Sequence, residues 1–295
     1  MLIGEFLALS VAIFWAITVV MFTDTSNKIG ALQVNINRII IAAFFYLLYI
    51  YSTGQTLIIK NEQVLLLGVS GIIGLVLGDT FLFKAFVTIG PALSMLIMCL
   101  SPIITTILGI IFLGEYLSIL TFLGILSTIL GILLVVYKHN ENDNVKFKIT
   151  FKGLVYAVLA ALGQSAGFIL SKEALNIGEI DGFVAAFYRI AISGITFLAL
   201  GIVTKRYQNP VKLFLSNKKA FILIVIGSFT GPFMGIALSL LSIKYTSVGV
   251  SSTIMSIVPI LMLPVQKFYY KEHLTKKAII GAFIAVFGTI ILFIK

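Results

Sequence analysis

The sequence is poor in charge, in cysteine and in histidine, and each shortage excludes a class of protein. Charged residues make up 11% of the 295 residues, against roughly a quarter in a soluble domain, so the chain is not a soluble protein. Its one cysteine, Cys99, rules out a disulfide framework and a thiolate metal cluster. The two histidines, His139 and His273, lie far apart in polar gaps, where an isolated histidine is usually solvated. We therefore expect no metal site and no cofactor.

Acidic residues are also scarce within the apolar stretches, which excludes two kinds of membrane enzyme. Asp79 is the one carboxylate of the eleven that lies well inside such a stretch. An intramembrane aspartyl protease needs a second membrane aspartate, and the other aspartates fall in polar gaps. A membrane-embedded transferase needs clustered acids to hold magnesium. We therefore predict that the protein is not an enzyme.

Apolar residues fill the rest of the chain: they make up 60% of it, and the mean hydropathy is +1.13. A spanning helix needs about 20 mostly apolar residues, and the chain divides into ten such lengths. The predicted spans are 4–23, 31–51, 63–88, 91–114, 118–137, 152–172, 183–203, 220–243, 247–267 and 277–294. The first begins at once and lacks the features of a removable signal peptide. The predicted fold class is an all-α integral membrane protein with ten transmembrane helices.

An internal repeat relates the two halves of the chain. Residues 94–138 align without a gap on residues 251–295, a shift of 157 positions. Upstream the alignment continues with small gaps. The aligned pairs include Pro102 with Pro259, Glu115 with Glu272, Gly124 with Gly281, Gly131 with Gly288, Arg38 with Arg189, and Gly78 with Gly231.

Five spans in each half is an odd number, so the second half must cross the membrane in the opposite sense to the first. We predict two inverted five-helix repeats, 1–138 and 152–295, joined by an inter-repeat loop at 139–151. Inverted repeats of this kind are typical of secondary transporters, which place a central cavity at the repeat interface.

The two halves also share a motif. In the fourth span "SP" is followed, thirteen residues after Pro102, by Glu115 of "GE" and then by a glycine-containing helix; Pro259 and Glu272 repeat the pattern. This pattern resembles the EamA family of the drug/metabolite transporter superfamily, and the resemblance covers essentially the whole chain. It implies a ten-helix transporter with a central cavity, lined chiefly by helices 1, 3, 4, 6, 8 and 9. It also implies movement of small metabolites across the cytoplasmic membrane, often outward.

Prolines and glycines have predicted structural roles. Pro102 and Pro259 each lack an N–H near the middle of an apolar span, and we predict a helix break at both. Four glycines in spans five and ten form pairs seven residues apart, close to two turns, which opens a flat stripe for close helix approach. These helix-packing glycines are Gly124, Gly131, Gly281 and Gly288. We expect the two stripes to meet inside one chain, so that the protein functions as a monomer.

Three charged side chains lie deep in predicted spans. Asp79 is about 12 Å from the nearer end of its helix, and Arg38 is at similar depth from the same side, so we predict an intramembrane charge pair. Arg189 repeats Arg38, but the alignment places Pro232 at the position of Asp79. We expect Arg189 either to attract a substrate carboxylate or to pair with Glu173. The alternative is that both arginines extend to the nearer headgroups.

The remaining polar residues of the presumed cavity helices are candidates for binding substrate. Trp15 and Gln164 occupy matching places in the first span of each half, and we predict that both contact the substrate. A single serine is more often bonded to its own helix backbone than to a ligand. The other candidates are Thr18, Ser94, Ser101, Ser251 and Ser256.

The predicted function is secondary active transport of a small metabolite, in the direction of export. Few charges in the pathway favour an amino acid or a related zwitterionic or apolar solute. The alternatives are an exchanger of nucleotide sugars or other organic anions, a passive facilitator, and a membrane sensor that transports nothing. Basic residues cluster at helix ends, so we expect the bilayer and not nucleic acid as the partner.

Lysine and arginine are distributed unequally between the two sides of the predicted spans. Fifteen fall on the side of the loop between spans one and two, and four fall on the other side. By the positive-inside rule the basic side is cytoplasmic, which places both termini on the outer, non-cytoplasmic side of the inner membrane. The family resemblance implies the opposite, with both termini in the cytoplasm.

Overall fold

The chain is helical through most of its described length. The computed structural model describes residues 2–113, 119–139, 148–205, 207–210, 213, 215, 217–246, 248–271 and 274–291, and these form helices and connecting turns without a β-strand. The helices are α1 Leu2–Ile29, α2 Ala31–Thr53, α3 Asn61–Ile89, α4 Pro91–Ile97, α5 Leu100–Leu113, α6 Ile119–His139, α7 Phe151–Asn176, α8 Gly182–Val203, α9 Lys218–Tyr245, α10 Val248–Met255, α11 Val258–Phe268 and α12 Lys276–Ile291.

Local sequence explains where these helices begin and end. Gly30 and Gly90 have φ angles of 88° and 84°, in a region that favours glycine, and they separate α1 from α2 and α3 from α4. Thr150 caps α7 by accepting a hydrogen bond from the backbone N–H of Gly153. Asp181 caps α8 in the same way.

Six helices of the described chain are long and apolar enough to cross a membrane: α1, α2, α3, α7, α8 and α9. Of the other four predicted spans, five and ten correspond to α6 and α12, and four and nine each consist of two short helices. Large apolar side chains lie exposed on the outer surface, among them Phe44 at 59% and Ile195 at 69%. An apolar surface of this extent is stable only against lipid, so this is a multi-pass membrane protein.

Spans four and nine are broken just before their prolines. The breaks fall at residues 98–99 and 256–257, so both lie within four residues of the proline that follows. Pro102 and Pro259 lie in the first turn of α5 and α11, where the backbone N–H has no helical partner in any case. Glu115 and Glu272, the acidic residues of the repeated motif, lie outside the described residues.

α3 and α9 share an irregularity that aligns the two halves. Both contain a seven-residue π-helical segment, at Ile72–Gly78 in α3 and at Phe229–Gly235 in α9. The shift between them is again 157, so the ungapped register of the repeat extends into these helices. Gly78 therefore corresponds to Gly235 and not to Gly231, and the counterpart of Asp79 is Ile236 and not Pro232.

The packing divides into a central bundle and a peripheral helix pair. The largest apolar cluster lies where α2, α3, α8 and α9 meet, around side chains such as Tyr46, Phe197 and Leu240. α6 and α12 pack along each other at the edge, and their glycine stripes meet there. A Cβ added to Gly131 would lie 2.4 Å from the backbone N of Ala285, and one added to Gly288 would lie 2.5 Å from the backbone N of Thr128.

Candidate substrate cavity

A cavity of about 90 Å³ lies in the central bundle. α1, α2, α3, α4, α7 and α9 contribute its walls. α2 therefore takes part, which was not expected, and no described residue of the ninth span lines the cavity. The lining residues are Trp15, Thr18, Val19, Phe22, Arg38, Leu75, Asp79, Leu82, Phe83, Phe86, Met95, Met98, Gln164, Gly231, Pro232 and Ile236. The wall is therefore mainly aromatic and aliphatic, with a few polar groups, which is the usual composition of a small-molecule site.

Trp15 and Gln164 both line this cavity, from α1 and α7. Each packs against a glycine at the end of a π-helical segment in the other half of the chain. A Cβ on Gly235 would lie 2.6 Å from Trp15 Nε1, and one on Gly78 would lie 3.5 Å from the backbone N of Gln164. The two residues therefore hold equivalent places in the two halves, and glycine is required at least at Gly235 to make room.

Thr18 also lines the cavity, but its hydroxyl is already engaged. Its Oγ1 donates to the carbonyl of Phe14 at 2.8 Å and lies 2.8 Å from Oγ1 of Thr230. Its Cγ2 lies against Gly231, where an added Cβ would come within 2.6 Å. Thr18 therefore shapes the wall and ties α1 to α9.

Arg38 and Asp79 form an ion pair on the cavity wall, with Arg38 Nη2 donating to Asp79 Oδ2. Arg38 is 5% exposed and Asp79 9%. The pair is held from several sides: Arg38 Nε donates to Asn35 Oδ1 at 2.8 Å, and the guanidinium carbon lies 4.8 Å from the Phe83 ring centre and 5.5 Å from that of Phe22. Charge-assisted hydrogen bonds and cation–π contacts thus stabilise a charge pair in an apolar setting.

Asn35, Phe22 and Phe83 were not singled out by sequence reasoning. Asn35 stands three residues before Arg38, one helical turn away, and this spacing was a usable signal. The phenylalanines come from other helices, and only the fold brings them to the guanidinium.

Arg189 lies close to the cavity but does not line it. Its side chain is 1% exposed, and its Nε has no hydrogen-bond partner. The structure does not place it against Glu173: among the described residues, Arg38 and Asp79 form the ion pair. Instead, its guanidinium lies where α3 and α7 cross, beside Gly74 and Gly167.

The four candidate serines are not brought to this cavity. Ser94 donates at 2.7 Å to the carbonyl of Gly90, the residue that precedes its own helix. Each of the other three has a hydroxyl partner in another helix or segment. The partners are Ser165 for Ser101 at 2.9 Å, Ser242 for Ser251 at 2.6 Å, and Thr289 for Ser256 at 2.8 Å. Their hydroxyls are therefore satisfied inside the protein, as is common for serine in membrane helices.

Metal ligands do not gather in the part of the chain that the structure describes. No three residues among its histidines, cysteines, aspartates and glutamates come together there. Cys99 is buried, with Sγ 3.7 Å from the carbonyl of Ser256. Among the described residues, the cavity wall therefore offers one ion pair, an indole, an amide, the engaged hydroxyl of Thr18 and apolar side chains.

A helical membrane bundle that encloses a small cavity with a buried ion pair has the architecture of a membrane transport protein. Comparison with known families agrees. The profile of the EamA-like transporter family matches residues 2–137 and 151–294, and the chain belongs to this family, which is part of the drug/metabolite transporter superfamily. The match falls into two repeats that together span nearly the whole chain.

Two individual proteins are similar to this chain. An "Uncharacterized transporter in trpA 3'region" from Buchnera aphidicola subsp. Schlechtendalia chinensis is 24% identical over 260 residues, which cover 88% of this chain and 83% of that protein. A solved crystal structure, 16% identical, superposes with a TM-score of 0.70 and covers 98% of this chain and 95% of its own. At that identity the likeness concerns the fold alone.

Proposed function

We propose that the protein is a secondary active transporter that exports a small metabolite, such as an amino acid or a related zwitterionic or apolar solute. The observation that carries the proposal is the cavity itself. It lies between equivalent residues of the two halves, Trp15 and Gln164, and holds the Arg38/Asp79 pair away from water. These two residues are our proposed substrate contacts. We propose no enzymatic step, since the described lining offers one carboxylate, engaged by Arg38, and one hydroxyl, that of Thr18, which is bonded to Phe14 and Thr230.

The proposed architecture is two inverted five-helix repeats, 1–138 and 152–295, joined by 139–151. The constant shift of 157 supports it, because the shift now includes the π-helical segments as well as the broken spans. In inverted repeats the two halves exchange conformations to open a central site first to one side and then to the other. Alternating access at the repeat interface follows from that architecture.

Charge and packing also support proposals for the membrane, the orientation and the oligomeric state of the transporter. The excess of lysine and arginine on one side favours an inner-membrane protein with both termini outside. The glycine stripe of α6 is covered by that of α12 of the same chain, so this contact requires no second copy. A monomer is therefore the proposed functional unit.

Two other functions remain to be distinguished by experiment. A nucleotide-sugar exchanger needs several basic residues along its pathway, whereas among the described residues one cation, Arg38, lines this cavity. A membrane sensor would bind a solute in the same cavity without moving it. The exchanger predicts flux of organic anions and the sensor predicts no flux, so flux measurements separate both from the proposed transporter.

Counterflow of radiolabelled amino acids into proteoliposomes tests the proposal. We expect uptake stimulated by unlabelled solute on the opposite side, and loss of that uptake in Trp15→Ala and Gln164→Ala. Ser94→Ala is the matched control, because Ser94 is buried but does not line the cavity. Solute binding without flux would indicate a sensor, and flux without stimulation from the opposite side would indicate a passive pathway.

A further inference from the structure

Arg189 is a buried cation without a counter-ion in the described part of the chain. No carboxylate there lies within ion-pair distance of its guanidinium, and its Nε has no hydrogen-bond partner. Its Nη2 lies 3.2 Å and 3.4 Å from the places where Cβ atoms on Gly74 and Gly167 would be. The guanidinium therefore rests against helix backbone, and a bare charge in such a place is costly.

The matched residue Arg38 shows how an arginine is stabilised at this depth. It has the Asp79 carboxylate, the Asn35 amide and two aromatic rings around it. Asp79 also acts electrostatically on Arg189, but its carboxylate is hydrogen-bonded to Arg38. Together Arg38, Asp79 and Arg189 carry a net charge of +1 within the apolar interior.

Arg189 lies beside Gly74 and Gly167, whose neighbours along the chain line the cavity. Leu75, the neighbour of Gly74, lines the cavity, and so does Gln164, about one turn before Gly167. The π-helical segment Ile72–Gly78 runs through this wall. Such segments interrupt the α-helical register and are frequent at functional sites. The wall between Arg189 and the cavity thus includes the irregular part of α3.

We propose that Arg189 is the carboxylate-binding residue of the transport site, and that the transported solute is an organic anion of net charge −1 with an apolar or aromatic body. This inference rests on the proposed transport function and replaces its zwitterionic or apolar solute with an organic anion. A monocarboxylate neutralises the net +1 of the three charged side chains. A zwitterion leaves that charge in place, and its ammonium meets an Asp79 that is already paired. The rings of Trp15, Phe22 and Phe86 on the wall suit an apolar body.

The apo protein gives the first test, through the thermal stability of Arg189→Met and Arg38→Met. If Arg189 is held without a partner for the sake of a ligand, Arg189→Met should raise the unfolding temperature of the ligand-free protein. Arg38→Met should lower it, because it leaves Asp79 buried and unpaired. An equal fall in both variants would show that Arg189 has a structural role and would overturn the assignment.

Four probes with one aromatic body and different charge test the substrate class: phenylacetate, phenylalanine, phenethylamine and phenylacetamide. We expect phenylacetate alone to raise the unfolding temperature, with the shift lost in Arg189→Met and partly kept in Arg189→Lys. An equal shift with phenylalanine, or no shift with phenylacetate, would overturn the net charge of −1. A phenylacetate shift that survives in Arg189→Met would remove Arg189 from the site.

Counterflow with the same four probes separates this inference from the proposed function. Trans-stimulated flux of phenylalanine without flux of phenylacetate would leave a transporter and reject the anionic substrate. Trans-stimulated flux of phenylacetate that Arg189→Met abolishes would support both. Binding of phenylacetate with no flux of any probe would keep the site and count against transport.

Discussion

At the scale of single residues, the two matched arginines show how one sequence motif acquires two environments. Sequence reasoning places both at similar depth and requires a partner for each. The fold supplies Arg38 with a partner in α3, whereas the equivalent position in α9 is Ile236, which cannot neutralise Arg189. A charge pair between neighbouring helices can be predicted from depth alone, because an isolated charge there is costly. The π-helical segment that changes the register is not visible in hydropathy.

Removing one member of the Arg38/Asp79 pair should destabilise the protein more than removing both. Arg38→Ala and Asp79→Ala each leave one buried charge unpaired, which typically costs about 3 to 5 kcal/mol. The double variant should recover much of this loss. Unfolding of all four proteins in one detergent, analysed as a double-mutant cycle, measures the coupling. Losses that simply add would contradict a direct interaction.

The serines mark the limit of sequence reasoning at this scale. A hydroxyl in an apolar span is a candidate ligand contact, but a carbonyl one turn earlier or a second hydroxyl can equally satisfy its hydrogen-bonding capacity. Ser94, with its bond to Gly90, is the first case, and Ser101 with Ser165 is the second. Trp15 and Gln164 do line the cavity, and their matched places in the repeat were the useful signal.

At the scale of helices, the periphery of the molecule depends on the crossing of α6 and α12. Glycines seven residues apart predict a flat stripe, and in the structure backbone meets backbone along it. The breaks in spans four and nine were expected from their prolines, although both breaks come slightly before the proline. The π-helical segments of α3 and α9 were not expected, since a π turn changes hydrogen-bond register and leaves hydrophobicity unchanged.

Even a single methyl group in the α6/α12 stripe should destabilise the protein. Cβ atoms added at Gly131 or Gly288 would meet backbone atoms that cannot rotate away, so Gly131→Ala and Gly288→Ala should force the helices apart. Overpacking of this kind costs about 1 to 3 kcal/mol. Thermal unfolding in detergent measures the loss, and substrate selectivity should not change, because neither glycine lines the cavity.

Gly178→Ala is a suitable control for the stripe. An added Cβ there would have the Lys60 ammonium as its nearest neighbour, at an ordinary 3.5 Å. We expect little change in the unfolding temperature. If Gly131→Ala and Gly288→Ala behave like this control, close packing of α6 and α12 is not a source of stability.

At the scale of the whole molecule, one end of the central bundle is fastened by a carboxylate and two phenols. Tyr269 donates to Asp24 Oδ2, and Tyr270 donates to Asp24 Oδ1 at 3.4 Å, which ties the end of α1 to the chain just after α11. The bond to Asp24 raises the pKa of Tyr269, while burial and the Asp24 charge raise the pKa of Tyr270. Both phenols therefore remain protonated donors at neutral pH.

Along α1 this fastening lies close to the level of the cavity, since Phe22 lines the cavity two residues before Asp24, but Asp24 and Tyr269 themselves line a separate groove on another face of α1. If the halves move against each other, the contact must break whenever the cavity opens at this end. Asp24→Ala should therefore favour the state open to that side. The chain has one cysteine, so a reporter is simple to introduce: Met98→Cys, on the cavity wall, in a Cys99→Ala background.

Labelling with a membrane-impermeant maleimide, added from the side of Asp24, measures this opening. We expect Asp24→Ala to speed labelling of Met98→Cys several-fold, and Tyr269→Phe to do so less, because Tyr270 still holds Asp24. Ser94→Cys in the same background should stay unlabelled throughout, since Ser94 is fully buried away from the cavity. An unchanged rate in Asp24→Ala would show that the cavity is closed at this end by the packing of α1 alone.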